Sequence, residues 1–92
     1  MRFEWDERKR RANLAKHGVD FAALDQMFRA DLVEEDDIRR DYGERRIKAI
    51  GEVNGVIVSV VYTWRGNRRR LISARRARTD ERKEYQAKLV AG

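Results

Sequence analysis

The chain is short and basic: it has 92 residues and a formal net charge of +6, with charged and apolar residues each making up 41%. That length fits one domain, residues 1–92, and the apolar share is large enough for a packed core, which excludes a globally disordered chain. The absence of cysteine excludes disulfides and zinc–thiolate sites, and a single histidine excludes a histidine-rich metal site. The start, MRFEWDERKRR, lacks the apolar run of a secretory signal, and no stretch has the roughly 20 apolar residues that span a bilayer, so we expect a cytoplasmic protein without membrane contact.

Positive charge is concentrated in the second half of the chain. Residues 1–46 carry 11 Lys/Arg and 12 Asp/Glu, whereas residues 47–92 carry 11 Lys/Arg and only 4 Asp/Glu, a net of +7. Seven arginines and no acid lie between Arg65 and Arg78. Such a field attracts a polyanion, and arginine binds phosphate with two parallel hydrogen bonds. The charge placement therefore predicts contact with RNA or DNA, with a solvated arginine-rich surface as the alternative.

The first thirty residues predict two helices. Residues 3–5 are a short apolar start that could form a small strand. Asp6 is predicted to cap a basic helix that runs to about His17 and ends at Gly18. Asp20 is predicted to cap a second helix with an apolar stripe facing the core, made of Phe21, Leu24, Met27 and Phe28.

Residues 46–76 predict a small antiparallel sheet. Residues 46–53 alternate, Asn54-Gly55 is the favoured pair for a two-residue hairpin, and residues 56–64 are rich in β-branched side chains. A second turn at residues 65–67 leads into a third strand, residues 68–76, and Leu32-Val33 could open a fourth. Strict alternation places Arg69, Leu71, Ser73 and Arg75 on one face of the third strand, and Arg68, Arg70, Ile72, Ala74 and Arg76 on the other.

A final helix is predicted after the sheet, with Thr79 as its cap. The resulting fold class is α+β: a meander of three to four antiparallel strands, with two N-terminal helices and one C-terminal helix. Tyr85 and Leu89, one turn apart, give the last helix an apolar face for the sheet or a partner.

The residues suit metal-independent RNA cleavage better than other chemistries. No P-loop, dinucleotide motif or nucleophile elbow occurs, and the acidic run at residues 34–37 has no fixed geometry for magnesium, so we expect neither metal nor cofactor. Attack of a 2′-oxygen on its phosphate needs a proton acceptor, cations and a proton donor. His17 is either an acid or phosphate contact, or a structural helix cap. Tyr85 either stacks on a base or donates a proton, or packs with Leu89.

Four segments, in order and in register, resemble the BrnT toxin family. Residues 3–21 match its opening F-x-W-D and N-x-x-K-H-G, residues 41–51 its middle motif, residues 60–77 its third motif, and the last helix its closing one. Departures are Ile47-Lys48 after the middle arginine, and Trp64 at a position that is often polar. The matching positions are Phe3, Trp5, Asp6, Asn13, Lys16, His17, Gly18, Tyr42, Gly43, Glu44, Arg46, Gly51, Val61, Tyr62, Thr63, Arg70, Ile72, Ser73, Ala74, Arg75, Thr79, Glu81, Arg82 and Tyr85.

The resemblance implies a compact fold like that of RelE-type toxins and an endoribonuclease that blocks translation, acting on RNA either free or on the ribosome. It also implies neutralisation by a BrnA-type antitoxin, whose dimeric DNA-binding domain joins two toxins in a heterotetramer that binds operator DNA.

Specific residues are expected to carry this activity. Arg75 and Arg46 would be the phosphate and transition-state cations, His17 or Glu44 would move protons, and Tyr85 would stack or donate. The RNA backbone would be guided by Lys16, Arg70 and Arg76. Two other functions stay open at this point: a non-catalytic RNA- or DNA-binding module, and a protein whose basic face holds an acidic partner.

Overall fold

A five-stranded sheet with helices on both sides forms the protein, as given by a computed structural model that describes residues 2–39 and 41–91. In chain order the elements are β1 Phe3–Glu4, α1 Glu7–His17, a 3-10 helix Phe21–Arg29, β2 Val33–Asp36, β3 Ile47–Val53, β4 Val56–Arg65, β5 Arg68–Arg76 and α2 Thr79–Ala91. None of the helices in the described part of the chain has the length and apolar character needed to cross a membrane.

The sheet is larger than predicted and is mixed. Its order is β1-β5-β4-β3-β2, and neighbours from β2 to β5 pair antiparallel, which confirms the meander and the fourth strand at Val33. The prediction of three to four purely antiparallel strands was wrong, because β1 pairs parallel with β5 in the register Phe3↔Arg69. A two-residue strand has no periodicity, and its partner lies near the far end of the chain.

The local turn and cap signals are confirmed. Asn54 and Gly55 have φ angles of 49° and 81°, as a type I′ hairpin requires. The Asp6 carboxylate accepts from the Arg8 N–H at 2.9 Å at the start of α1, and Gly18 ends this helix with φ 72°. The last helix differs by one position: Thr79 is its first residue, and the Glu81 carboxylate accepts from the Arg78 N–H at 2.8 Å. This contact is one half of a capping box.

The second predicted helix is a 3-10 helix. Its apolar stripe is buried as expected, since Phe21, Leu24 and Met27 are at most 1% exposed. These residues recur every third position, and three residues per turn align them on one side. Packing against the sheet therefore favours the tighter helix over the α-helix.

A β-bulge in β5 changes which arginines share a face. Val61 pairs with Ser73 whereas Tyr62 pairs with Leu71, so Ile72 is the extra residue. Strict alternation fails across it, and the predicted grouping of Arg69, Leu71, Ser73 and Arg75 was wrong. The structure puts Arg70, Ser73 and Arg75 on one face, with Arg69, Leu71, Ala74 and Arg76 on the other.

Helices cover the two faces of the sheet unequally. The larger core lies under the 3-10 helix and contains Leu24, Met27, Val60 and Tyr62. A smaller cluster on the other face joins α2 to the sheet through Val33, Ile50, Ala77 and Tyr85. Because α2 covers only part of its face, the remainder is left for polar side chains.

Helix α1 is attached to the edge of β5 by one buried side chain. The Asn13 amide donates to the Ala74 carbonyl at 2.8 Å and accepts from the Ala74 N–H at 3.0 Å, and it also donates to the Val19 carbonyl at 2.9 Å. Asn13 thus takes the place of a neighbouring strand where β1 does not reach.

Candidate active site

The part of the α2-bearing sheet face that α2 leaves uncovered is polar, and we call it the polar face. Cross-strand register places Lys48 beside Val61 and Ser73, and Thr63 beside Arg70. Side chains two residues apart on a strand share a face. This rule adds Arg46, two residues before Lys48, and Arg75, two residues after Ser73. The polar face is therefore defined by Arg46, Lys48, Thr63, Arg70, Ser73 and Arg75.

A buried carboxylate organises the cations at the border of the polar face. Glu81, on the first turn of α2, is 1% exposed and accepts from both terminal nitrogens of Arg75, at 2.7 and 3.0 Å. The Lys48 Nζ contacts the same carboxylate, at 2.6 Å from Glu81 Oε2. Arg78 adds a longer contact of 3.5 Å from its guanidinium. One carboxylate thus joins β3, β5 and α2.

The electrostatics of this cluster favour a permanently ionised carboxylate. Burial alone would raise the pKa of Glu81, but hydrogen bonds from Arg75, Lys48 and the Arg78 backbone outweigh it and hold the pKa well below its usual value. Three cations share this single negative charge. Glu35 approaches Lys48 at 3.7 Å and Asp80 approaches Arg78 at 3.4 Å, with side chains 50% and 74% exposed. Counted with these two exposed carboxylates, the three cations are formally balanced, whereas the buried part of the cluster, Lys48 and Arg75 on Glu81, has one positive charge in excess.

A second group of charged residues lies at the other end of the polar face. The Arg46 guanidinium stacks over the Tyr42 ring at 4.0 Å, and its Nε lies 3.5 Å from Glu44 Oε1. This Nε is buried and has no hydrogen-bond partner among the described residues. Glu44 is one-third exposed, and its other oxygen lies 3.9 Å from Arg65. Glu44 is therefore a partly hydrated carboxylate between two guanidinium groups.

The remaining predicted residue on the polar face is Arg70. Its guanidinium donates to Glu4 of the neighbouring strand at 2.7 Å, with both side chains about one-third exposed or less. Internal pairing therefore neutralises part of the charge that the sequence suggested: Arg70 pairs with Glu4, and Arg75 pairs with Glu81.

Three predicted residues lie elsewhere. His17 follows Asn13 by one helical turn and so faces the edge of β5, with exposed Lys16 beside it. Arg76 is exposed and lines a cavity of about 260 Å³ with Leu14 and Gly18 at the end of α1. Arg70 and Arg76 are separated along β5 by roughly 17–20 Å. The structure therefore does not bring His17, Lys16 and Arg76 together with Arg46 and Glu44.

Tyr85 is part of the smaller core. It is 6% exposed, packs with Val33, Ile50 and Ala77, and its hydroxyl donates to the Asp31 carbonyl at 3.4 Å. Burial, together with the nearby carboxylates of Glu52 and Asp31, raises the pKa of this hydroxyl. This placement supports the packing interpretation, and it leaves little ring surface for a base.

Sequence reasoning missed Lys48 and Glu81 as site residues. Lys48 was noted only as a departure from the family pattern, and Glu81 only as a match in the closing helix. An acid at the third position of the predicted last helix, where a capping box places it, is the sequence signal that could have identified Glu81. Among the described residues, no three His, Asp or Glu side chains are grouped to hold a metal ion.

Comparison with known families gives one result that covers most of the chain. Residues 5–81 match a family model described as the ribonuclease toxin, BrnT, of type II toxin–antitoxin systems. The comparison with curated proteins gave no significant match.

Proposed function

Since the chain belongs to the BrnT family of ribonuclease toxins of type II toxin–antitoxin systems, we propose that its polar face cleaves RNA without a metal ion, by attack of a ribose 2′-oxygen on the adjacent phosphate. RNA is accordingly the substrate and an antitoxin is the partner. The finer mechanism and the residues below are our assignment.

One observation carries the assignment of the site: two cations, one from β3 and one from β5, are fixed on one buried carboxylate of α2. Glu81 holds Lys48 at 2.6 Å and Arg75 at 2.7 Å, and their side chains remain 18% and 29% exposed. Preorganised cations stabilise charge that develops in a transition state without reorganising during the reaction. Lys48 and Arg75 share the single negative charge of Glu81, and this excess of one positive charge can attract a phosphate.

We assign distinct roles within the polar face. Arg75 and Lys48 would bind the scissile phosphate and stabilise the crowded phosphorane, and Arg46, whose side chain is 25% exposed, would supply a third cation. Glu44 would accept the proton of the 2′-hydroxyl, because it is the partly hydrated carboxylate beside Arg46. The P–O5′ bond would then break, and the departing 5′-oxygen would take its proton from solvent water. The products would be a 2′,3′-cyclic phosphate and a 5′-hydroxyl end.

Other basic residues would contact the RNA outside the reacting bond. Arg70 lies on the polar face, although it shares its charge with Glu4. Lys16 and Arg76 lie at the opposite end of β5 and would guide a longer backbone. Proton transfer by His17 and base stacking by Tyr85 are not part of this proposal, because of where α1 and the smaller core place them.

We further propose that cleavage inhibits translation and that a BrnA-type antitoxin neutralises the toxin in a heterotetramer that binds operator DNA. The antitoxin would then cover the polar face or restrict access to it. This part rests on family membership rather than on any contact in the chain itself.

Incubation of the purified toxin with 5′-labelled RNA in EDTA tests the activity. We expect upstream fragments that end in a 2′,3′-cyclic phosphate and downstream fragments that begin with a 5′-hydroxyl. Stable RNA binding without such ends, with and without ribosomes, would contradict the nuclease assignment and favour a non-catalytic binding module.

A further inference from the structure

An exposed tryptophan stands at the end of β4, on the sheet face opposite to the polar face. Trp64 is 43% exposed, although it belongs to the strand that forms the centre of the sheet. Its cross-strand partner is Arg69, and its neighbour two residues back is Tyr62, whose ring packs edge-on at 5.8 Å. A large aromatic side chain is thus partly exposed to solvent beside a basic turn, and it has no role in the reaction proposed for the polar face.

The indole is held in a fixed orientation by an arginine. The Arg69 guanidinium lies 4.6 Å from the Trp64 ring centre, 5.3 Å from that of Tyr62 and 4.5 Å from that of Phe28. Cation–π contacts of this kind order both partners. One side of the indole is thus fixed by Arg69 and Tyr62, and the exposed part forms a rigid flat surface.

Charge is distributed asymmetrically around this surface. The β4–β5 turn carries the exposed side chains of Arg65 and Arg68. On the opposite side, a cavity of about 370 Å³ is lined by the indole and by three carboxylates against two guanidinium groups, with Asp36 paired to Arg45 at 2.7 Å. The charged residues of this lining are Glu34, Glu35, Asp36, Arg45 and Arg69. A phosphate is therefore attracted more strongly to the turn than to the cavity, whereas a neutral base can lie over the indole with its amino groups towards the carboxylates.

This surface is continuous with the polar face around the end of β4. The side chains of Thr63 and Trp64 point to opposite faces of the strand, as do those of Trp64 and Arg65. The Arg65 guanidinium reaches to 3.9 Å from Glu44, the carboxylate assigned to the reaction. A single strand bound at the polar face can thus pass Arg65 and turn over the end of the sheet to Trp64.

We infer that Trp64, Arg65 and Arg68 form an accessory site for single-stranded RNA, in which an unpaired base stacks on the indole and the flanking phosphates bind the two arginines. Aromatic side chains that stack on bases, next to cations that follow the backbone, are the usual means of binding a single strand. The inference rests on the proposed function for its ligand, RNA, and it names single-stranded segments as the preferred substrate class.

The test uses the intrinsic fluorescence of Trp64. The chain has two tryptophans, so a Trp5→Phe variant makes Trp64 the only indole. The probe is a short single-stranded 2′-O-methyl oligoadenylate, which cannot be cleaved by 2′-oxygen attack. We expect saturable quenching of the Trp64 emission, at the same concentrations at which a labelled copy of the probe shows binding by anisotropy.

Two substitutions separate stacking from folding. Loss of base–aromatic stacking in Trp64→Ala should weaken binding of the probe about 5- to 150-fold. Trp64→Phe keeps an aromatic face and should stay within about 3-fold of the parent affinity, because stacking tolerates a change of ring. Thermal unfolding of each variant shows that it is folded before its affinity is compared.

Three results would overturn the inference: binding of the probe without quenching, equal affinity of Trp64→Ala and its parent, or no binding while the antitoxin quenches Trp64. The last would identify the surface as a protein interface. Because the probe resists cleavage, these outcomes are independent of catalysis. Failure of the toxin to cut ordinary RNA, with quenching intact, would refute the proposed cleavage mechanism but not the accessory site.

Discussion

Replacement of Glu81 by glutamine should separate the structural and functional roles of the cation cluster. Glutamine has nearly the same shape and can still accept from the Arg78 N–H, an interaction of 2.8 Å in the parent. It cannot balance the charges of Lys48 and Arg75. The substitution therefore leaves the cap in place and removes only the negative charge.

The expected loss of stability follows from burial. Removing one partner of a buried ion pair typically costs about 3–5 kcal/mol. A value at or just below the bottom of that range is appropriate, because Lys48 and Arg75 are 18% and 29% exposed and can regain some hydration. We expect a loss of about 2–3 kcal/mol, which for a domain of this size lowers Tm by roughly 10–20 °C.

The pH dependence gives a second signature of the same charge. The folded state holds the pKa of Glu81 below its ordinary value of 4.5, so the contribution of this carboxylate is fully present above that pH and is lost as the pH falls below it. The stability difference between the parent and Glu81→Gln should accordingly be constant from about pH 5 upwards and should shrink in more acidic solution.

Chemical denaturation at several pH values measures both effects. Glu84→Gln is the matched control, because Glu84 is exposed on the same helix. The control should stay within about 0.5 kcal/mol of the parent. Equal stability of Glu81→Gln and the parent at pH 7, or a difference that does not change below pH 4.5, would refute the reasoning.

Four further substitutions test the fold and the assignment of the proton acceptor. Asn13→Ala should lower the free energy of unfolding by about 3 kcal/mol, because it leaves buried backbone groups of β5 without partners; a loss under about 1 kcal/mol in urea denaturation would contradict the edge role. Gly51→Ala should cost about 1–3 kcal/mol by overpacking, since its new Cβ would lie 2.9 Å from Met27 Cε and 3.1 Å from Met27 Cβ; an unchanged Tm would argue against this contact. Glu44→Gln should slow single-turnover RNA cleavage about 100-fold or more, whereas His17→Gln should stay within about 3-fold of the parent; the reverse order would transfer the role to the histidine.

The elements that could be predicted are those with local signals. The Asn54-Gly55 hairpin, the Asp6 cap and the buried 3-10 stripe each depend on residues close together in the chain, and the structure confirms their positions. The parallel pairing of β1 with β5 depends on a tertiary contact between distant segments, which no period in the sequence encodes.

The candidate site was harder to predict because register decides its composition. The bulge at Ile72 moves Arg70 onto the face of Arg75, although an odd separation along the strand places them on opposite faces. The convergence of Lys48 and Arg75 on Glu81 requires the packing of α2 against β3 and β5 together. Family motifs indicated which residues recur, whereas only the folded structure indicates which side chains meet.

Single-turnover cleavage of RNA by Arg75→Ala tests the central claim, that cations fixed on the polar face stabilise the reacting phosphate. The control is Arg29→Ala, because Arg29 is 69% exposed at the end of the 3-10 helix, which packs on the other face, and pairs there with Asp25. We expect the rate constant for cleavage to fall about 100- to 1,000-fold in Arg75→Ala, with the control within about 2-fold of the parent and both variants folded. An unchanged rate in folded Arg75→Ala would contradict the account.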